Sequence, residues 1–301
     1  MTSLGEEQRK PGPIGIAGTG RVAQALGRLL LEAGEPVAAM AGREPERTAR
    51  AAAFVGQGVV PSSFEDLPAL ATRILIAVPD DALMDVADRL AQGGMAAGIA
   101  LHTSGARGAS VLQALERCGV SCGVLHPLQT VASPEQGERA LPGSAFAVVG
   151  SGAAAAWALE IVALLNGNAL RIRPGQQPLY HAAAVMASNY VVALVDAAVI
   201  LMEEAGIDRL EALRALTPLL TASAVNAVTL TPVAALTGPI ERRDLETVEM
   251  HLSALDHAPR TVSELYRSAG RQTVELARRK NPADDYSAID RLLSKGAEAS
   301  E

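Results

Sequence analysis

A doubly wound α/β sheet followed by an all-helical domain is the fold class that this 301-residue sequence predicts. Strand and helix patterns alternate from Ile14 to about residue 174, as in a sheet whose strands are joined by crossover helices. Ile74-Leu75-Ile76-Ala77-Val78 is a continuous apolar run, expected of a central parallel strand buried on both faces. From Gln176 onward the strand pattern stops and only helical periodicity remains.

Residues 14–30 read IGIAGTGRVAQALGRLL. A short apolar strand runs into a Gly18-x-Gly20-x-x-Ala23 turn, and Val22, Leu26, Leu29 and Leu30 then recur at helical spacing. Further strands are expected at 36–41, 59–60, 74–78, 98–101, 121–125, 144–149 and 169–172, with an Ala-rich helix over 153–165 between the last two. Helices are expected over 177–204, 208–229, 244–257 and 259–279. The chain therefore divides into a polar, disordered lead-in over 1–11 and a Rossmann-type dinucleotide-binding domain with a doubly wound parallel sheet over 12–174. A helical substrate and dimerisation domain over 175–280 and a polar tail over 281–301 follow. Pro174-Gly175 marks the boundary.

The glycine turn points to a dinucleotide. Gly18 permits the tight turn, Gly20 lets the backbone approach a pyrophosphate, and Ala23 stays small where helix meets strand. Thr19, Arg21 and Val22 complete a junction whose free N–H groups face phosphates, and Val78-Pro79 closes the central strand on the same ligand. About 20 residues further on, an NAD site presents Asp or Glu to the ribose 2′-hydroxyl. This chain presents Ala41, Gly42 and Arg43 instead. A carboxylate repels a 2′-phosphate and a guanidinium grips it, so the expected cofactor is NADP with Arg43 as selector. The structural alternatives are a strand–helix turn without ligand and a solvated loop arginine, since Arg47 and Arg50 follow.

Composition narrows the function classes. The formal net charge is −7 and no basic stripe interleaves with aromatics, which argues against nucleic acid. Cys118 and Cys122 read as reduced thiols and no secretory leader is visible, so a cytoplasmic protein is expected. Tyr190 to Met202 is apolar, but Asn189, Asp196 and Glu203 accompany it, and a helix buried in protein is expected rather than a membrane span. The stretch 182–202 is apolar on nearly all faces, which predicts a homodimer built on the second domain.

Ligands of parallel sheets bind beyond the carboxyl ends of the strands. His102-Thr103-Ser104-Gly105 and His126-Pro127-Leu128-Gln129 stand at two such ends, so two of five histidines fall on the cofactor side. His126 is the first candidate for proton donor, with an ordinary pKa near 6.5 suited to neutral pH, and His102 or His181 is the alternative. A loop histidine bonded to backbone is the structural reading of either strand-end residue. His181, Val185 and Asn189 are spaced to share one helix face, as are Thr247 and His251. Ser104 and Asn189 are candidates for orienting a carbonyl, and Arg242 for a substrate carboxylate, with Gln129, Thr247 and His251 as further substrate contacts. Lysine occurs only at 10, 280 and 295, which argues against a lysine general acid. No His-x-x-x-His or paired-cysteine spacing suggests a metal.

The stretches GTGRVAQALG, IAVPDDAL, LHTSGARG, GVLHPLQTV, PLYHAAAVMASNYVVAL and LTGPIERRDLETVEMHLSAL together resemble provisionally named NADP oxidoreductases. That family joins a Rossmann-like domain to a helical domain of unknown function. More distantly the chain is similar to pyrroline-5-carboxylate reductases, ketopantoate reductases and 3-hydroxyacid dehydrogenases. The last two groups carry a catalytic Lys with Asn four residues later. Asn189 matches that Asn, but Val185 occupies the Lys position, so lysine acid catalysis does not carry over. Arg243 stands where the resemblance implies Gly in an Arg-Gly-Asp turn. The resemblance implies an NADPH-dependent oxidoreductase reducing a small polar carbonyl, with a 2-oxo acid such as ketopantoate as the expected substrate. Reduction of a cyclic imine such as pyrroline-5-carboxylate is the alternative, and a non-catalytic NADP-binding sensor or scaffold is the competing class.

Overall fold

The computed structural model of the protein describes residues 12–173 and 175–295. The lead-in expected over 1–11, Pro174 at the expected boundary and positions 296–301 of the tail lie outside the described residues. The chain divides into two compact units between Ser188 and Asn189.

The first unit runs β1 (Ile14–Ala17), α1 (Arg21–Glu32), β2 (Val37–Ala41), α2 (Pro45–Val55), β3 (Val60–Ser62), α3 (Leu67–Leu70), β4 (Arg73–Ile76) and α4 (Leu83–Gln92). It continues with β5 (Ile99–His102), α5 (Gln113–Arg117), β6 (Ser121–Pro127), α6 (Pro134–Ala140), β7 (Ala145–Val149), α7 (Gly152–Leu164), β8 (Asn168–Arg171) and α8 (Gln177–Ala187). The strands form one sheet in the order β3-β2-β1-β4-β5-β6-β7-β8. Alternate side chains of the central strands enter different cores, which is why those strands read as unbroken apolar runs. Ile14, Ile16, Leu75 and Leu125 pack with Leu26 and Leu30 of α1 and with Trp157 and Ile161 of α7 on one face. Ile74, Ile76 and Ala100 pack with Leu83, Val86 and Leu90 of α4 on the other.

The sheet is parallel except at one seam, where β7 runs antiparallel to β6 and β8 then runs parallel to β7. Between β6 and β7 the chain has only the short helix α6, about 10 Å long at 1.5 Å per residue. It re-enters the sheet at the end it left instead of crossing back along β6.

The domain division falls one helix later than the expected 174/175. Helix α8 goes with the sheet because Tyr180 on it hydrogen-bonds His126 of β6. Ser188, at φ −128° and ψ −76°, breaks the single helix expected over 177–204, and Asn189 opens the next one.

The second unit contains α9 (Asn189–Glu204), α10 (Arg209–Thr229), α11 (Pro232–Ala235), α12 (Leu245–Ala254), α13 (Arg260–Lys280) and α14 (Ser287–Ser294). Its core gathers Ile240, Val248, Leu252, Val262, Val274, Tyr286, Ile289 and Leu293. Part of the expected polar tail is thus folded: Ile289 and Leu293 lie one turn apart on α14 and are buried together with Tyr286. Lys280 is structural, donating to the Leu236 carbonyl at 2.7 Å and pairing with Glu241. Arg243 keeps the left-handed backbone that a glycine would favour, at φ +60°, and pairs with Asp284 at 3.1 Å.

The helix over Tyr190–Met202, expected to be buried in protein, is left mostly uncovered by this chain's own residues. Of α9 only Val199 is buried, and of α10 only Ala212. Leu179, Met186, Tyr190, Val192, Leu219 and Val228 stand more than half exposed. The helix pair 177–204 is long and apolar enough in sum to cross a membrane, but its break at Ser188 leaves helices of 11 and 16 residues, shorter than the span of about 20 that a bilayer requires.

Candidate active site

The first part of the site lies where β1 meets α1. Gly18 sits at φ +130°, and a Cβ there would stand 2.2 Å from the Ala77 carbonyl oxygen, so the turn admits only glycine. Gly20 is different. Its backbone is ordinary, at φ −76° and ψ 177°, and a Cβ would meet no atom within 4 Å. The protein's own packing does not require glycine at 20; the open space above it is where a ligand backbone would come close. The N-terminus of α1 has no side-chain cap and no acidic residue in its first turn, leaving N–H groups and the positive end of the helix dipole for an anion.

Thr19, Gly42, Arg43, Glu44, Arg47, Val78, Pro79 and Asp85 line the same cleft. Arg43 and Arg47 are exposed, and among the described residues neither forms an ion pair. β2 ends in Ala41, without the carboxylate that a ribose 2′-hydroxyl would meet. The cleft therefore fits a dinucleotide pyrophosphate at α1 and an additional phosphate at the two guanidinium groups. Three residues expected as cofactor contacts have their side chains engaged elsewhere. The Arg21 guanidinium donates to the Val131 and Ala132 carbonyls at 3.3 and 3.4 Å, Val22 packs against the core, and Ala23 is buried.

The second part stands at the ends of β5 and β6. His102 is fully buried, and both its ring nitrogens are taken by backbone. Ser104 N–H donates to Nδ1 at 3.2 Å, which places the proton on Nε2, and Nε2 donates to the Gly108 carbonyl at 3.1 Å. Burial lowers the pKa of this imidazole. Ser104 Oγ accepts from the N–H groups of Ala106 and Arg107. His102 and Ser104, expected as proton donor and carbonyl binder, instead hold the 102–108 turn in shape.

His126 is half-buried, and its Nδ1 lies 2.9 Å from Tyr180 Oη. Its ring meets Tyr180 and His181 edge-on, at centroid distances of 5.6 and 5.8 Å. Burial, reinforced by His181 and His102 and opposed by Asp80, pushes the His126 pKa down to about 4. The expected value near 6.5 is thereby corrected: at neutral pH this imidazole is uncharged. Burial pushes the Tyr180 hydroxyl up to about 12, so it keeps its proton. His181 Nδ1 is buried without a hydrogen-bond partner. A Cβ on Gly105 would stand 2.7 Å from His181 Nδ1 and 2.8 Å from His126 Nε2. Glycine is needed at 105 because two imidazoles press on it.

Sequence reasoning missed Tyr180, Gly105 and Arg47 as site residues. The signal for Tyr180 was its place beside His181 on an apolar helix, in a chain with only four tyrosines. Gln129 is exposed and spends its amide on Ala140, Ser144 and Thr130. Asn189, Arg242, Thr247 and His251 belong to the helical unit. There Thr247 Oγ1 donates to Asp244 at 2.8 Å, His251 Nδ1 lies 2.8 Å from Tyr266 Oη, and Arg242 is exposed. His181 and Asn189 lie on different helices rather than on one shared face. Among the described residues no cluster of three or more metal-ligating side chains occurs. Cys122, raised to about 12 by burial, is no nucleophile at neutral pH.

Residues 4–127 match a Rossmann-like domain, and residues 144–273 match a domain of unknown function, DUF2520. The chain thus joins these two domains in the order that its motifs implied. A search of curated proteins finds no significant match. Among solved structures, a provisionally named NADP oxidoreductase of Bacteroides fragilis is 22% identical at a TM-score of 0.70, over 88% of this chain and 99% of that one. A reductive aminase from Aspergillus terreus, in complex with NADPH4, cyclohexanone and allyl amine, is 19% identical at 0.61, over 94% and 99%. The Plasmodium falciparum pyrroline carboxylate reductase with NADP bound is 13% identical at 0.55, over 89% and 99%. At these identities the likeness is one of fold.

Proposed function

We propose that the protein is an NADPH-dependent reductase of a small, polar C=N or C=O group. The observation that carries this reading is the cleft at α1, with an uncapped helix start, a Gly20 that packing does not require, and two unpaired guanidinium groups where an NAD site has a carboxylate. NADPH, when bound, supplies the hydride. The chain's own residues do the rest: the α1 N–H groups hold the pyrophosphate, Arg43 and Arg47 hold the 2′-phosphate, and Tyr180 holds a proton at its hydroxyl beside His126.

A cyclic imine is the first substrate reading. It is supported by the names of similar folds, a reductive aminase and a pyrroline carboxylate reductase. It also suits a site without lysine whose histidine is held neutral. The 2-oxo acid expected from the sequence, ketopantoate included, is second. The Tyr180–His126 pair favours it, because a nascent alkoxide needs a proton donor. The open apolar faces of α8, α9 and α10 support a homodimer in which a second copy covers them. The two free thiols accord with a cytoplasmic location.

The test is NADPH oxidation by purified protein with pyrroline-5-carboxylate and with ketopantoate. Saturable turnover of either, near kcat/KM of about 10⁴ M⁻¹s⁻¹, is the expected result. NADPH binding by fluorescence with no turnover of either would instead favour a sensor or scaffold.

A further inference from the structure

We propose that Asp85 reads the base of the cofactor: its carboxylate accepts a hydrogen bond from the adenine 6-amino group, so that the cleft at α1 selects adenine over a 6-oxo purine. The proposal rests on the cofactor cleft described above and assigns the residue that specifies the nucleobase.

A cleft that holds a pyrophosphate and a 2′-phosphate has to attract anions, and a carboxylate inside it works against that. Two carboxylates nevertheless line it, those of Glu44 and Asp85. Arg43 and Arg47, in the same cleft, form no ion pair with them among the described residues. Asp85 has one ionic neighbour, Arg89, at 3.9 Å and one turn along α4. That guanidinium is already committed. It donates to both oxygens of Glu65, at 2.6 and 3.1 Å, and lies over the Phe64 ring, 4.8 Å from its centroid. The acceptor sites of Asp85 are therefore open, and donors on the ligand are what can offset its repulsion of phosphate.

The adenosine half of NADPH brings two kinds of donor, the 6-amino group of the base and the 3′-hydroxyl of the ribose, because its 2′ position carries the phosphate. The surroundings divide the two carboxylates between them. Glu44 follows Arg43 and precedes Arg47, the residues assigned to the 2′-phosphate, and belongs to the ribose end. Asp85 keeps different company: it shares the cleft with Phe64, Val78, Ala82 and Val86. Phe64 and Val86 are buried, and together these side chains make an uncharged apolar wall suited to the face of a planar purine. Asp85 is the carboxylate beside that wall, and its side chain, 68% exposed, is free to turn toward the edge of a base. An ionised carboxylate only accepts hydrogen bonds. It matches the N–H of the adenine amino group and repels the oxygen that replaces that group in hypoxanthine. Asp85 also lies in the first turn of α4, where an acid favours the helix dipole whatever the ligand, so the decisive readout is one that depends on the base.

The test titrates the purified protein with NADPH and with its hypoxanthine counterpart, reduced nicotinamide hypoxanthine dinucleotide phosphate. The fluorescence of the dihydronicotinamide, common to both, reports binding without turnover. Wild type is expected to bind NADPH about 10-fold more tightly, the order of one hydrogen bond to an exposed charged group. In Asp85→Asn the side chain presents an N–H as well as a C=O, and the preference should fall to within about 2-fold. Two controls should keep the full preference: Glu44→Gln, the other carboxylate of the cleft, and Asp88→Asn, an exposed carboxylate of α4 outside it. Equal binding of the two nucleotides by wild type overturns the inference and requires no variant to fold. An unchanged preference in Asp85→Asn, with both nucleotides bound more tightly, also overturns it, because a carboxylate that only repels phosphate behaves that way. Loss of the preference in Glu44→Gln instead would give the role to the wrong residue and overturn it too. If wild type binds neither nucleotide, the cofactor reading of the cleft falls, and the assignment of Asp85 falls with it.

Discussion

Replacing Gly18 and Gly20 separately with alanine should divide what the fold needs from what the ligand needs. At Gly18 the backbone is left-handed, which costs a non-glycine residue about 1–3 kcal/mol. The new Cβ would also overlap the Ala77 carbonyl at 2.2 Å, so β1 or β4 must shift as well. At roughly 2–4 °C per kcal/mol for a domain of this size, Gly18→Ala should lower Tm by at least several degrees. At Gly20 the backbone is ordinary and the space is empty, so Gly20→Ala should leave Tm unchanged or slightly raised, since alanine restricts the unfolded chain. Its methyl group would occupy the approach of the pyrophosphate to the α1 N–H groups. Losing one charge-assisted hydrogen bond there, worth about 1.5–3 kcal/mol, weakens NADPH binding by roughly 10- to 150-fold. Thermal melts and fluorescence titration with NADPH read the two effects on the same samples. If Gly20→Ala binds NADPH as tightly as wild type, the cleft at α1 is not the pyrophosphate site. If Gly18→Ala is as stable as wild type, the steric reasoning about the turn is wrong.

Arg43→Ala should weaken NADPH by about 10- to 100-fold and leave NADH nearly unchanged in parallel titrations, because only the former carries the 2′-phosphate; equal losses would remove Arg43 as selector. The His126 pKa near 4 lies below the 6.5 of an unfolded imidazole, so between those values the unfolded chain binds a proton that the native one refuses. Its contribution is therefore undiminished above about pH 6.5 and declines by about 3 kcal/mol as pH falls to 4, at 1.36 kcal/mol per pH unit. Denaturant titrations across that window should show a steeper decline for wild type than for His126→Asn, and identical slopes would contradict the burial. Val192→Asp and Val228→Asp, at positions 70% and 83% exposed, should each convert a dimer to monomer in light scattering without lowering helix content; a wild-type protein that is monomeric at micromolar concentration ends the dimer proposal.

The sheet and the glycine turn at the start of α1 were legible in the sequence because both rest on local physics. The central strands alternate into two cores and so read as apolar runs, while the Gly18-x-Gly20 spacing sets a glycine that the turn requires beside one that leaves open space at the start of α1. The one antiparallel seam was hidden because it depends on the length of the β6–β7 link rather than on any strand's composition. The helix over 287–294 was hidden for a related reason: its few apolar residues gain their meaning only from the core they meet. The histidines show the same limit more sharply. Sequence placed His102 and His126 alike at strand ends, and only packing separated them, giving one two backbone partners and the other Tyr180 and His181. A side chain's protonation depends on what lies within a few ångströms of it in space, and contacts between residues 54 positions apart, such as His126 and Tyr180, leave no periodic trace along the chain.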